Sequence, residues 1–335
     1  MTTQGEVLAG LFADADYTAL LSSDQLNPIR RGVDHPIDLI RWRTSVDIAV
    51  VSVFSGRAFA LAIESIAVAR ALQIPTVAWL HGGGLPDMSH GRLRWAGPIL
   101  AHTGAVVAPT RYLARWAANF TDHPRVIPNV LDLNAYRFTP RTPIRPRLLW
   151  MRTFHELYDP ATAVRTLAEL RRRGIDATLT MAGQEKGLLA PTRELADSLG
   201  LSSWITFPGF VSGDAKSALF DTHDIFLNTN LVDNTPVTVL EAAASGLAIV
   251  STNIGGIPDL LTDDQSALLV PTKTPAAMAD GVARLLANSD LATRLSRAAR
   301  QTAEQSAWPA VRDAWLTLGS ELTNTTRRHT ASGRG

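Results

Sequence analysis

Short apolar runs alternate with helix-periodic runs almost from end to end of this chain, and that alternation restricts its fold most. Strands that hand over to helices and back again predict parallel sheets flanked by helices. The clearest early unit is Asp47 to Phe54 (strand), Arg57 to Gln73 (helix) and Pro75 to Leu80 (strand). His81 and the triplet Gly82, Gly83, Gly84 stand at the carboxyl end of that last strand. Further strands fit Ala105 to Val107 and Arg125 to Ile127, around a helix of Arg111 to Asn119. Leu133 to Pro146 carries three prolines and breaks the rhythm, so residues 140–146 read as an interdomain linker. A second series then runs from the strand Leu148 to Met151, through a helix capped by Asp159-Pro160, to a last strand at Leu268 to Val270. The reading is α/β: two doubly wound domains, residues 1–139 and 147–307, with a cleft between them as the default site. An amphipathic helix over 308–323 and a disordered tail over 324–335 complete it.

Composition removes several function classes. A chain of 335 residues with 46% hydrophobic and 19% charged residues is globular and long enough for two cores. A net charge of +1 argues against a nucleic-acid binder that relies on bulk phosphate attraction. Cysteine is absent, which excludes disulfides, thiolate metal sites and cysteine nucleophiles. The first residues lack the basic and apolar regions of a secretory signal, and Glu64 and Arg70 interrupt the longest apolar helix, Ala58 to Leu72. A cytoplasmic protein without a transmembrane segment is expected.

The densest chemical signal lies between Asp224 and Asp259. There a strand, Ile225 to Leu227, ends in the polar cluster Asp233, Asn234, Thr235. Pro236 suits a first helical position and Gly246 a helix stop, and Leu247 to Val250 is a second buried strand. The polar loop therefore opens a helix at the carboxyl end of a parallel strand, where open α/β sheets bind ligands. Unpaired N–H groups at such a start favour a phosphate. Asp233 could serve the helix dipole alone. Glu241 could serve it too, but its place past the first turn of an otherwise apolar helix weakens that reading, since a carboxylate there needs a partner, which sugar or ribose hydroxyls would supply.

Other candidates are weaker. Arg152 ends the first strand of the second half, where a guanidinium suits a diphosphate or an interdomain salt bridge. The remaining histidines show no metal-ligand spacing, and Asp14-Ala15-Asp16, a pattern some transferases use for a divalent metal, follows no buried strand. No metal site is expected. Arginines around Trp42 (Arg30, Arg31, Arg41, Arg43) and Trp95 (Arg92, Arg94) read as a solvated face, with peripheral membrane contact as the functional alternative. Walker A and dinucleotide fingerprints are both missing.

The stretch DNTPVTVLEAAASGLAIVSTNIGGIPDLL resembles the donor-site signature of glycosyltransferase family 4, retaining transferases of GT-B fold, in which two Rossmann-like domains face each other across a cleft. His81 after a strand, APTRYL (Ala108 to Leu113), VIPNVLD (Val126 to Asp132), Arg152, MAGQ (Met181 to Gln184) and FPGFV (Phe207 to Val211) fit the same family in order and spacing. The resemblance implies a nucleotide-diphosphate sugar as co-substrate, an unidentified acceptor read by the N-terminal domain, no metal requirement, and a terminal helix that crosses back to the N-terminal domain. It assigns the ribose hydroxyls to Glu241 and the transferred sugar to Asp233. The diphosphate falls to backbone N–H groups over Thr235 to Val237 with Arg152. Gly183, Val211, Asn234 and Pro236 complete the donor site, with Val211 near the base. His81 would meet the sugar from the opposite domain, and Gly82 to Gly84 would serve as a phosphate or acceptor loop.

Three departures qualify that pattern. Asp233 replaces the family's first glutamate. The lysine expected five residues after Arg152 is missing, with Leu157 and Tyr158 near its place. The N-terminal domain is short, with no first strand and glycine-rich loop before Asp47. These departures motivate two rivals: a non-catalytic GT-B subunit that binds a sugar nucleotide or a partner transferase, and a GT-B nucleotide-sugar isomerase.

Overall fold

The computed structural model describes residues 4–14, 17–22, 28–88 and 90–332. The chain forms two compact units, Thr2–Val130 with Trp308–Gly335, and Leu131–Ala307. Both are Rossmann-like, a parallel sheet with helices on its faces.

In the N-terminal unit two helices, α1 (Gln4–Ala13) and α2 (Pro28–Trp42), precede β1 (Ala49–Val53). Then come α3 (Arg57–Ala71), β2 (Thr76–Leu80), α4 (His90–Ala101), β3 (Ala105–Ala108), α5 (Arg111–Ala117) and β4 (Arg125–Val126). The strands pair in parallel in the order β1-β2-β3-β4. Helix α3 forms because Phe59, Ile63, Ile66 and Ala69 recur at helical spacing, and that stripe is buried with Val53, Ala78 and Leu80. The β2 residues of opposite parity, Val77 and Trp79, enter a second core with Leu8 of α1. That core is completed by Val311, Trp315 and Leu318 of the last helix, α13 (Trp308–Ser332). The terminal helix therefore belongs to the N-terminal unit. It continues to Ser332, beyond the expected end at 323, so the tail read as disordered from 324 is helical over most of its length.

The C-terminal unit runs β5 (Arg147–Met151), α6 (Pro160–Arg172), β6 (Thr178–Ala182), α7 (Leu189–Ser198), β7 (Ile205–Gly209) and α8 (Gly213–Thr222). It continues with β8 (Ile225–Asn228), α9 (Val237–Ser245), β9 (Ala248–Thr252), α10 (Ile257–Leu260), β10 (Leu268–Val270), α11 (Pro275–Ala287) and α12 (Ser289–Gln305). Alternation along β5 divides the interior. Leu148 and Trp150 pack with Val164 and Leu167 of α6 and Met278 and Val282 of α11. Leu149 and Met151 pack with Val239 and Leu240 of α9 and Ala299 and Ala303 of α12.

The six strands lie in the order β10-β9-β8-β5-β6-β7, all parallel. Strand order reverses between β5 and β8. The crevice beyond the carboxyl ends of those two strands is the topological switch point, where this class of sheet binds ligands.

The boundary expected at 139–147 falls earlier. The C-terminal unit begins at Leu131, so 140–146 is part of that unit and not a linker. Ile144 is in its core. Arg141 is buried and donates to the carbonyls of His223 (2.9 Å), Thr139 (2.5 Å) and Phe220 (2.7 Å). Three prolines stiffen the segment, and the guanidinium nails it down.

Candidate functional site

Three strand ends build the site in the C-terminal unit. Arg152 follows β5 directly, and its N–H donates to Ala182 O at 3.1 Å, which carries it beside the end of β6. Gly183 is the residue it passes: a Cβ there would lie 1.7 Å from Arg152 O. Only glycine allows β5 and β6 to leave the sheet so close together. The third strand, β8, runs into the loop 229–236 and then into α9.

Side chains from below pin that loop. Trp150 Nε1 donates to Thr229 Oγ1 (2.8 Å), which donates to Tyr158 O (2.6 Å). Thr252 Oγ1 donates to Asn230 O (2.7 Å). Asn230 Nδ2 donates to Asp233 Oδ2 (2.6 Å), the oxygen that also takes Arg152 Nη2. Asp233 Oδ1 accepts the Asn234 N–H at 2.7 Å. Arg152 is held on its other side by the Tyr158 ring, 4.2 Å from guanidinium carbon to ring centroid. Arg152 and Asp233 side chains are each 13% exposed, a nearly buried ion pair at the switch point.

Pro236 caps α9 and does not begin it: its ψ of 113° is extended, and the helix starts at Val237. Every α9 residue from Thr238 to Ser245 is buried, Glu241 included at 4% exposure. Glu241 Oε1 accepts from Tyr136 Oη (2.7 Å) and from Lys216 Nζ. Val211, after β7, packs on the core that holds Phe220 and Val239. Arg152 Nε, Asn230 Oδ1, Thr238 Oγ1 and Glu241 Oε2 are buried and have no hydrogen-bond partner among the described residues. Unpaired donors and acceptors of this kind, on the strand-end loops and on α9, suit a polyhydroxyl ligand carrying an anion.

Among the nine C-terminal candidates, Arg152, Gly183, Asn234 and Asp233 are tied into this loop system, Thr235, Pro236 and Val237 lie at the start of α9 and Glu241 at its middle, and Val211 packs on the core that holds Val239. Tyr136, Tyr158, Lys216 and Asn230 were not singled out by the sequence reading. Lys216 did carry a signal: the chain has only Lys186, Lys216 and Lys273, and Lys216 follows shortly after Val211.

His81 and Gly82 to Gly84 belong to the N-terminal unit. The His81 N–H donates to Val53 O at 2.8 Å, so the residue extends β2 past its end. Its ring stacks on Phe54 (centroids 5.1 Å, planes at 20°) and tilts against Trp79 (4.3 Å). Gly82 permits the approach to β1, since a Cβ would lie 2.4 Å from the Ser55 nitrogen. Gly83 O accepts from Tyr112 Oη at 3.3 Å.

Burial pushes His81 down to about 3 from its ordinary 6.5. The folded ring stays neutral well below pH 6.5, where the unfolded chain already binds a proton. Its contribution to stability is therefore present above pH 6.5 and lost as pH falls towards 3, by at most about 1.4 kcal/mol per unit. His81→Phe keeps an aromatic ring and removes the titration. Urea denaturation at pH 7 and pH 5 should show the wild type losing about 2 kcal/mol more than the variant.

Of the other motifs, Ala15 and Asp16 of the D-x-D pattern lie outside the described residues, as do the side chains of Arg30, Arg31 and Arg92. Trp95 is 47% exposed, edge-on to Phe59. Among the described residues no three His, Asp or Glu side chains cluster as a metal-ligand set, and no helix is long and apolar enough to cross a membrane.

Comparison with known proteins bears on the fold. Sucrose-phosphate synthase from Thermosynechococcus elongatus superposes with a TM-score of 0.72 at 15% identity, over 94% of this chain and 83% of that one. HepE from Anabaena, solved with UDP and with UDP-glucose, gives 0.71 at 16% identity, over 96% and 89%. The fold is GT-B. Within this GT-B chain, residues 144–302, which lie inside the C-terminal unit, match the family model of glycosyl transferases group 1. A GDP-mannose-dependent alpha-(1-6)-phosphatidylinositol monomannoside mannosyltransferase of Mycobacterium tuberculosis is 30% identical over 168 residues, 48% of this chain and 42% of the relative. A D-inositol 3-phosphate glycosyltransferase of Salinispora tropica is 30% identical over 160 residues, 45% and 33%. The GT-B chain thus spans less than half the length of these two relatives.

Proposed function

We propose that the chain is a retaining glycosyltransferase of family 4 type that moves a sugar from a nucleotide-diphosphate sugar to a hydroxyl acceptor. The observation that carries the reading is the switch point, where Arg152 and Asp233 pair just before the N-terminus of α9, the helix that also carries the buried carboxylate of Glu241. Arg152 and the first N–H groups of α9 would take the diphosphate and stabilise it as it departs. Asp233, oriented by Asn230 and Arg152, would accept hydroxyls of the transferred sugar, and Glu241 those of the ribose. Departure of the diphosphate needs no metal ion in this reading, because the guanidinium and the helix terminus supply the positive charge. The acceptor, a peripheral membrane contact and a cytoplasmic location belong to the same proposal. The named relatives act on inositol-containing acceptors, which makes polyol and inositol-lipid hydroxyls the first acceptors to assay.

A thermal-shift screen against nucleoside diphosphates and nucleotide sugars, with and without magnesium, tests the donor half. A ligand at 100 times its dissociation constant stabilises by about 2.7 kcal/mol. The expected result is a magnesium-independent shift with one nucleotide sugar that disappears in Glu241→Ala. Turnover by the purified chain, with the anomeric configuration of the donor preserved in the product, completes the test. Binding without turnover would favour the non-catalytic subunit, and conversion of the nucleotide sugar with no acceptor present would favour the isomerase.

A further inference from the structure

Glu241 is a nearly buried carboxylate whose two oxygens are treated unequally. Oε1 takes both hydrogen bonds, from Tyr136 Oη at 2.7 Å and from Lys216 Nζ. Oε2 is buried and receives none from the described residues. A native structure rarely leaves a carboxylate oxygen in that condition, because the desolvation is not offset.

The two donors come from separate elements and are themselves restrained. Tyr136 ends a 3-10 turn, Leu133–Ala135, which Asp132 caps through the Asn134 N–H (3.1 Å). Its ring meets Phe220 edge-on, centroids 5.9 Å apart, and its carbonyl accepts from Arg300 Nη1 at 3.3 Å. Burial and the charge of Glu241 push the Tyr136 hydroxyl far above its ordinary value, so it stays a donor. Lys216 reaches in from α8, its side chain 25% exposed and that of Glu241 5%. The ammonium balances the buried charge and the phenol fixes the plane of the carboxylate.

We propose that Tyr136 and Lys216 are positioning residues of the nucleotide site: they hold Glu241 by Oε1 so that Oε2 accepts a hydroxyl of the ribose diol. The inference rests on the donor-site reading given above. Two donors on one oxygen cost the ligand nothing to reorganise, and a neutral hydroxyl donor is what Oε2 lacks. An anion would be repelled there, which places the diphosphate at the α9 N-terminus and the diol at Glu241.

The probes are GDP and UDP, each with its 2′,3′-dideoxy analogue, titrated by calorimetry into wild type, Tyr136→Phe, Lys216→Met and Glu241→Gln. Wild type should prefer the better-bound ribonucleotide over its dideoxy form by about tenfold or more. Tyr136→Phe and Lys216→Met should each lose most of that preference while binding the dideoxy form as wild type does. In turnover, Tyr136→Phe should raise KM for the nucleotide sugar with kcat within about twofold. If the two variants weaken ribo and dideoxy forms equally, or keep the full preference while Glu241→Gln loses it, the positioning role is overturned and the donor site stands. If Glu241→Gln keeps both binding and preference, the donor-site reading itself falls.

Discussion

Arg152→Ala is expected to lower kcat/KM for the nucleotide sugar by two to three orders of magnitude, the loss typical of removing one preorganised donor from a developing anion. The guanidinium is pre-positioned for that task. Tyr158 lies under one face at 4.2 Å, Asp233 takes Nη2, and Nε is buried and without a partner among the described residues. The lysine that the family resemblance leads one to expect five residues on is absent, with Leu157 and Tyr158 near its place. The same substitution should cost about 3 kcal/mol of stability, because it leaves Asp233 13% exposed without its counter-charge. The two effects separate. Arg152→Ala/Asp233→Ala removes the orphaned carboxylate and should recover much of the stability and none of the rate. Arg152→Lys keeps the charge but loses the planar fork and the ring stack, so its rate should fall between those of wild type and Arg152→Ala. Denaturation midpoints and steady-state kinetics on the three proteins check this. A double variant that regains rate together with stability would reduce Arg152 to a structural ion pair.

How much of this was legible in the sequence depends on the range of the interaction. The strand and helix order of the C-terminal unit was readable, because buried apolar runs and Gly and Pro stops are local signals. Asp233, Arg152 and Gly183 were readable for a related reason: each follows a strand, and parallel sheets put such positions on one side. Tyr136 and Lys216 were not, since they reach Glu241 across 105 and 25 residues of sequence. Spacing does not reveal such pairs, and the rarity of lysine was the one local cue to Lys216. The segment 140–146 failed in the opposite direction: its prolines are a true local signal for stiff irregular chain, but the burial of Arg141 by three carbonyls is a tertiary fact. At the N-terminus, α1 joins the second core through Leu8, packed with Trp315 from the far end of the chain.

The glycine turn after β9 gives the largest expected effect on the architecture of the site, and three glycines separate its causes. Gly174 ends α6 with φ of +77° and nothing within 4 Å of an added Cβ, so Gly174→Ala should cost about 1 kcal/mol, for backbone strain alone. At Gly183 φ is not positive, and the whole penalty of a Cβ comes from Arg152 O at 1.7 Å. Gly255 combines both: φ is +54°, and a Cβ would lie 2.0 Å from Asp233 O. The next residue adds a bond, since the Gly256 N–H donates to that same Asp233 oxygen at 3.2 Å. Neither side of the contact can yield cheaply, because both are backbone. Gly255→Ala should therefore cost about 3–4 kcal/mol. Relief requires the loop to move outward, carrying Asp233 away from Arg152. Nucleotide-sugar affinity should then fall at least about tenfold in whatever protein remains folded, while Gly174→Ala binds as wild type does. Urea denaturation and ligand titration on the two alanine variants check both halves. A Gly255→Ala protein as stable as Gly174→Ala and unimpaired in binding would mean that the turn does not hold the loop, and that Asn230 and Arg152 suffice to place Asp233.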